Sequence, residues 1–262
     1  MSMTSSRKNT LILLAVLLSV PAFYLLYATR GLCTSALHEE PLAAQKASLN
    51  FEGENILYTV KLGKVVIGKA TFRSMGSTVL NRQNVNLMTF HTQTTGFRDT
   101  ESIYSDPLTF LPLRVERDIR IGLRGEKITE EYDQKNFVLT VTKQGEGDGW
   151  GATFRKEGPI HNAVMLPFYV RTIPELPLGW NFTAELAQRR FLIKLVSVEN
   201  VTVPAGTFEA YHFESEPRKF EIWITRDDLR IPVKIIGTSG IGYAMVMKQY
   251  ATAAAVSEEA GE

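Results

Sequence analysis

Residues 200–237 read NVTVPAGTFEAYHFESEPRKFEIWITRDDLRIPVKIIG. Phe208, Ala210 and His212 fall on one side of an extended run, with Glu209, Tyr211 and Phe213 on the other. Phe220, Ile222 and Ile224 then alternate with Glu221, Trp223 and Thr225. A period of two, rich in aromatic and β-branched residues, fits a half-buried pleated strand. Val203-Pro204-Ala205-Gly206-Thr207 is read as a turn, because proline presets φ and glycine admits positive φ. Arg226-Asp227-Asp228-Leu229 is a second turn, and Ile231–Ile236 resumes the strand. Pro232 has no N–H, so it belongs at an edge, a bulge or a strand start. The stretch predicts a three-stranded antiparallel meander.

The same pattern extends in both directions. Ile56, Tyr58, Val60 and Leu62 alternate, Gly63-Lys64 turns, and Val65–Arg73 returns. Gly68 inside that return signals a bulge or a close backbone approach. Asn84–Thr95 and Glu101–Tyr104 read as strands. Leu113, Val115, Arg117, Ile119 and Ile121 share one face of another, followed by Glu126–Tyr132 and Phe137–Lys143. Gly145–Gly149 is expected to be a solvated hairpin tip. Trp180, Phe182, Ala184 and Leu186 alternate, Phe191–Val198 returns, and Ile241–Tyr250 is the last strand. Regular short strands with turns argue for a mainly β fold and against βαβ units. The expected architecture is one antiparallel curved sheet, a β-sandwich or a barrel-like domain over residues 51–250. A helix is predicted over His161–Thr172. It is apolar nearly all round, so it should be buried, plugging a barrel mouth or lying in a curved sheet. Pro167 is expected to kink or split it.

Thr10–Ala28, TLILLAVLLSVPAFYLLYA, is almost wholly apolar and long enough as a helix to cross a bilayer. Arg7 and Lys8 precede it, which leaves the N-terminus in the cytoplasm and exports the rest. Residues 1–30 therefore read as an uncleaved signal anchor; cleavage as a signal peptide, or lipidation at Cys33, remain alternatives. Residues 31–50 read as a linker and 251–262 as a disordered tail. The expected location is the inner membrane, single-pass with the C-terminal domain in the periplasm, or the periplasm after cleavage.

The order PAGTFEAY, F-x-I-W-I-T-x-D-D, R-I-P-V-K-I resembles the C-terminal signature of the bacterial domain-of-unknown-function family 3108. Gly53-Glu54-Asn55-Ile56-Leu57-Tyr58-Thr59-Val60, with Gly63 and Gly68-Lys69-Ala70, resembles that family's opening pattern. Leu111-Pro112-Leu113 and Phe168-Tyr169-Val170-Arg171-Thr172 resemble its middle segments. The likeness spans about Phe51 to Tyr250. It implies an envelope-located, mostly β domain with no assigned activity.

The chain has 262 residues, a formal charge of +1 and one cysteine. A charge so near neutral gives no electrostatic case for nucleic acid, and a single cysteine allows no intramolecular disulfide. No G-x-S-x-G or phosphate-binding glycine loop occurs. His38, His91, His161 and His212 are isolated in sequence, so no metal site, cofactor or catalytic residue is assigned. Asp227 and Asp228 read as turn residues with Arg226 and Arg230 as ion-pair partners. Arg171 on the apolar helix needs water, a carboxylate or a ligand; a structural salt bridge or contact with an anionic ligand would satisfy it. The candidate ligand-binding residues are Arg171, Tyr169, Phe168, Trp180 and Trp223. Two functions follow as expectations. One is a non-enzymatic envelope module taking a hydrophobic or lipid ligand. The other is an interaction module docking an envelope protein through edge strands.

Overall fold

The computed structural model describes residues 51–145, 149–238 and 242–252. Their alternation resolves into 14 strands of a single antiparallel sheet. The first eight are β1 (Asn55–Leu62), β2 (Val65–Leu80), β3 (Gln83–Thr94), β4 (Phe97–Ser105), β5 (Pro112–Ile121), β6 (Arg124–Asp133), β7 (Val138–Gly145) and β8 (Trp150–Arg155). A short helix, α1 (Leu166–Arg171), comes next. Then follow β9 (Asn181–Glu185), β10 (Arg190–Val203), β11 (Gly206–Glu216), β12 (Phe220–Thr225), β13 (Pro232–Gly237) and β14 (Tyr243–Ala251). In space the order is β8-β7-β6-β5-β4-β3-β2-β1-β14-β13-β12-β11-β10-β9. Two meanders are thus joined along the first and last strands, from Asn55 opposite Ala251 to Lys61 opposite Ala244.

One sheet holds every named strand, so the two-sheet sandwich alternative gives way to a wrapped sheet. The segment that follows β8 reaches β9, at the other end of the sheet. Ile160, beyond β8, makes a parallel bridge to Glu185 in β9, and the His161 N–H donates to the Glu185 carbonyl at 2.7 Å. Gln134, in the β6–β7 turn, holds this segment. Its Oε1 accepts from the Ile160 N–H at 3.0 Å, and its Nε2 donates to the carbonyls of Ile160 at 2.8 Å and Pro112 at 2.7 Å.

Local chemistry sets the register. Asn81 and Arg82 carry φ of 50° and 68° between paired Leu80 and Gln83, the two positive φ angles a tight hairpin needs. At Ile67 the β1–β2 register slips, with Val60 facing Gly68 and Lys61 facing Val66. A Cβ on Gly68 would stand 2.2 Å from the Gln93 carbonyl oxygen. This is the close approach expected there. Pro232 begins β13 beside a bulge, where its missing N–H costs no ladder bond.

Cross-strand pairs define the face that α1 covers. Phe213, Ile222, Ile235, Met245 and Val60 form one continuous row. Ile56, Phe72, Phe90, Glu101, Arg117 and Ile128 form another. Phe168 stacks on Phe72 with centroids 3.9 Å apart. Leu166 and Val170 pack with Phe182, Phe191, Leu195 and Phe213 in a second cluster. β10 serves both faces through a bulge at Val196, since Leu195 faces Phe213 while Ser197 faces His212. Phe191, Ile193 and Leu195 therefore turn toward α1, whereas Val201 and Val203 turn to the opposite face.

Four expectations change. The helix is shorter than His161–Thr172, because residues 162–165 form a turn in which Asn162 accepts the Val164 N–H on Oδ1 and the Met165 N–H on its carbonyl. Pro167 sits in the first turn of α1 and does not kink it; no intrahelical N–H is required there. β8 was not expected: Trp150, Ala152 and Phe154 alternate with Gly151, Thr153 and Arg155, but the run is short and mostly exposed. β2 and β10 run on to Leu80 and Val203. The Thr10–Ala28 segment, the linker, Cys33, Glu146–Asp148 and the tail from residue 253 lie outside the described residues. Among the described residues no helix is long and apolar enough to cross a membrane.

Candidate functional site

Arg171 ends α1 and is 1% exposed. Its Nη1 and Nη2 donate to Glu54 Oε2 and Oε1 at 2.7 and 2.8 Å. Its Nε and Nη2 also donate to the Leu229 carbonyl at 3.1 and 2.8 Å. The guanidinium lies 3.9 Å over the Phe51 ring. Tyr250 Oη donates to Glu54 Oε1 at 3.1 Å. The fork geometry of arginine matches a carboxylate and leaves little of either charge unbonded. Arg171 is thus engaged by the protein itself, tying α1 to the entry of β1 and to the β12–β13 turn.

That turn is built by Asp227, whose Oδ1 accepts from Thr225 Oγ1 at 2.7 Å and from the N–H groups of Leu229 and Arg230 at 3.1 and 3.0 Å. The flanking arginines also reach beyond the turn. Arg226 pairs with Glu209 at 3.0 Å, and Arg230 donates to the carbonyls of Ile173 and Pro174.

The other four candidates divide. Phe168 is buried against Phe72 and Phe51. Tyr169 and Trp180 are half-buried and meet at Phe182, with centroid distances of 5.1 and 5.3 Å. Trp180 also meets Phe213 edge-on at 6.2 Å, and Leu178 beside it is 67% exposed. His161 packs against Tyr169 and Phe182 at 4.9 and 5.6 Å. Neither of its ring nitrogens has a side-chain partner, and burial, partly offset by the Pro159 backbone, pulls its pKa down to about 4. Together these rings form an aromatic wall beside α1. Trp223 lies on the opposite face of the sheet, cross-strand from His212, and takes no part in it.

A second feature escaped the sequence reading. On the α1-facing side of the first meander, Asp99, Glu101, Arg117 and Glu130 are all buried. Arg117 bonds Asp99 and lies 3.3 Å from Glu101 Oε1. Tyr132 Oη donates to Glu130. Three carboxylates share one guanidinium, and burial pushes Glu101 up to about 8, with Asp99 and Glu130 also raised by burial. Asp99 Oδ1, Arg117 Nε and Thr94 Oγ1 are buried without partners. The signal was present: Arg117 falls in phase with Val115 and Ile119 on an otherwise apolar face.

A family model described as a protein of unknown function, DUF3108, matches residues 57–248. The chain belongs to the DUF3108 family. In this DUF3108 chain the matched span opens in β1 and closes in β14, the two strands that join the meanders. Among solved structures it is similar to a β-barrel-like protein of domain of unknown function DUF1849 from Brucella abortus. The identity is 7% and the TM-score 0.49, over 78% of this chain and 99% of that one. It is also similar to a Bacteroides fragilis protein with a YmcC-like fold (10% identity, TM-score 0.29, covering 78% and 97%). A candidate lipoprotein from Parabacteroides distasonis shows 9% identity and a TM-score of 0.27, covering 76% and 95%. No curated protein matches this DUF3108 chain.

Proposed function

We propose that this DUF3108 protein is a non-catalytic, membrane-tethered module of the cell envelope whose periplasm-facing β domain takes a hydrophobic or lipid ligand on the aromatic wall. The carrying observation is that Tyr169 and Trp180 are half-buried around Phe182 and the buried His161. Rings that combine an apolar body with a polar edge suit an amphiphile. The apolar segment Thr10–Ala28 supports tethering and export. With Arg171 paired to Glu54, ligand contact rests on Tyr169, Trp180 and the adjoining Leu178.

Native mass spectrometry of the full-length chain, before and after incubation with envelope lipid extract, tests this. An adduct in the lipid mass range that disappears in Trp180→Ala and Tyr169→Ala supports the reading. A clean apo mass after incubation sinks it. A second reading, docking of an envelope protein by strand addition, is favoured by β8, which lies at an end of the sheet with Trp150 43% exposed.

A further inference from the structure

On the sheet face opposite α1, three side chains converge: His212, which follows PAGTFEAY, Glu214, and Glu221, inside F-x-I-W-I-T. His212 and Glu214 lie two residues apart in β11, so they project from the same face. Glu221 in β12 stands directly across from Glu214. His212 Nε2 is 3.0 Å from Glu221 Oε2 and 4.0 Å from Glu214 Oε1. One ligand atom from each of the three lies within 4.8 Å of the other two. Around a tetrahedral zinc ion with bonds of about 2.0–2.1 Å, ligand atoms stand roughly 3.3 Å apart. The observed spacings bracket that value, so closure needs only side-chain adjustment.

Other groups hold these ligands in place. The His212 ring stacks on Trp223, with centroids 4.1 Å apart and planes 9° from parallel. Its Nε2–H donates to Glu221 Oε2 at 3.0 Å; an ion bound there displaces that proton, and Ser197 Oγ, 3.4 Å from Nδ1, then accepts Nδ1–H. Trp223 is fixed in turn, since its Nε1 donates to Glu199 Oε1 at 2.6 Å and Lys234 Nζ lies 4.0 Å over its ring. Arg218 binds Glu221 Oε1 at 3.1 and 2.8 Å, leaving Oε2 turned to His212. His212 and Glu221 are 9% and 7% exposed, while Glu214 is more open to solvent. An imidazole with two carboxylates, pinned by a hydroxyl, an indole and a guanidinium, is a donor set for a borderline divalent ion.

We infer that His212, Glu214 and Glu221 form a binding site for a divalent transition-metal ion of the zinc class, with water completing the shell. Arg218 is a built-in competitor, because its Nη2 also lies 3.3 Å from Glu214 Oε1. Binding an ion displaces that contact.

The probe is Co²⁺, titrated into the full-length chain purified without an affinity tag of histidines. Visible absorption reports coordination, and quenching of Trp223 fluorescence reports position. The expected result is saturable 1:1 binding, reversed by Zn²⁺, with an intense visible band of a four-coordinate ion. His212→Ala and Glu221→Gln should each weaken it by roughly 100-fold. Circular dichroism of every variant confirms folding. If His212→Ala does not fold, Glu214→Gln, at a more exposed position, serves in its place. Absence of saturable 1:1 binding, or binding unchanged in the folded ligand variants, overturns the site.

Discussion

Glu54 and Arg171 stand 117 residues apart in sequence and are joined by paired hydrogen bonds of 2.7 and 2.8 Å. Glu54 precedes β1, which sits at the centre of the sheet, and Arg171 closes the helix covering that sheet's inner face. The pair fixes the helix to the strand on which both meanders meet.

Breaking this pair from one side leaves a buried, uncompensated charge. Glu54→Leu and Arg171→Met should each destabilise the domain by about 3–5 kcal/mol. The double variant Glu54→Leu/Arg171→Met should lose less than the sum, since neither charge is stranded. Urea denaturation of the four proteins checks both statements. Additive losses would show that the two residues act independently.

The buried acid layer makes stability fall as pH rises. Glu101 has its pKa raised from 4.5 to about 8, chiefly by burial. The native state therefore holds a proton that the unfolded chain releases earlier. This contribution is complete below about pH 4.5 and is lost as pH climbs through about 8. Glu101→Gln keeps the site neutral throughout. The melting temperature of wild type should drop across that window relative to the variant; parallel curves would mean that Glu101 is ionised in the native state.

His161 has the opposite sign. Its pKa falls from 6.5 to about 4, chiefly by burial. Its neutral form supports the fold fully above about pH 6.5, and that support is lost as pH falls toward about 4. The shift corresponds to about 3 kcal/mol. His161→Phe should abolish this acid-dependent loss, as measured by denaturation at successive pH values. An unchanged acid slope would assign the loss to other groups.

Gly68→Ala should cost at least about 1–3 kcal/mol, because the new methyl would press on the Gln93 carbonyl oxygen, 2.2 Å from its ideal position. Thermal melts check this. A neutral effect would mean that the Ile67 bulge can move.

The meander of residues 200–237, the site of α1 and the strain at Gly68 were legible because each depends on residues close together in sequence. Pro204, Gly206 and Asp227 announce turns by their own chemistry. The rest depends on distant partners. Nothing near Arg171 points to Glu54, and whether its charge meets a carboxylate or a ligand depends on how two meanders dock. Trp223 alternates as cleanly as Ile222, yet it lies on the face away from α1. Only the full chain of strand pairs assigns the faces. The grouping of His212, Glu214 and Glu221 likewise depends on the register between β11 and β12. Of the Asp99–Glu101–Arg117–Glu130 layer only Arg117 was visible, in phase with Val115 and Ile119. Recognising it required accepting buried acids that composition alone disfavours.

The pairing of β1 with β14 also governs the order of assembly. During synthesis β1 emerges early and can zip to β2, and each later strand up to β8 can join its predecessor. Its other edge waits for Tyr243–Ala251, the last of the described strands. Until then the centre of the future sheet is an open row of amide and carbonyl groups, able to pair with another chain. A product truncated before β14 would carry that open edge permanently, so loss of only the last strand should yield an aggregating species and not a slightly smaller native domain.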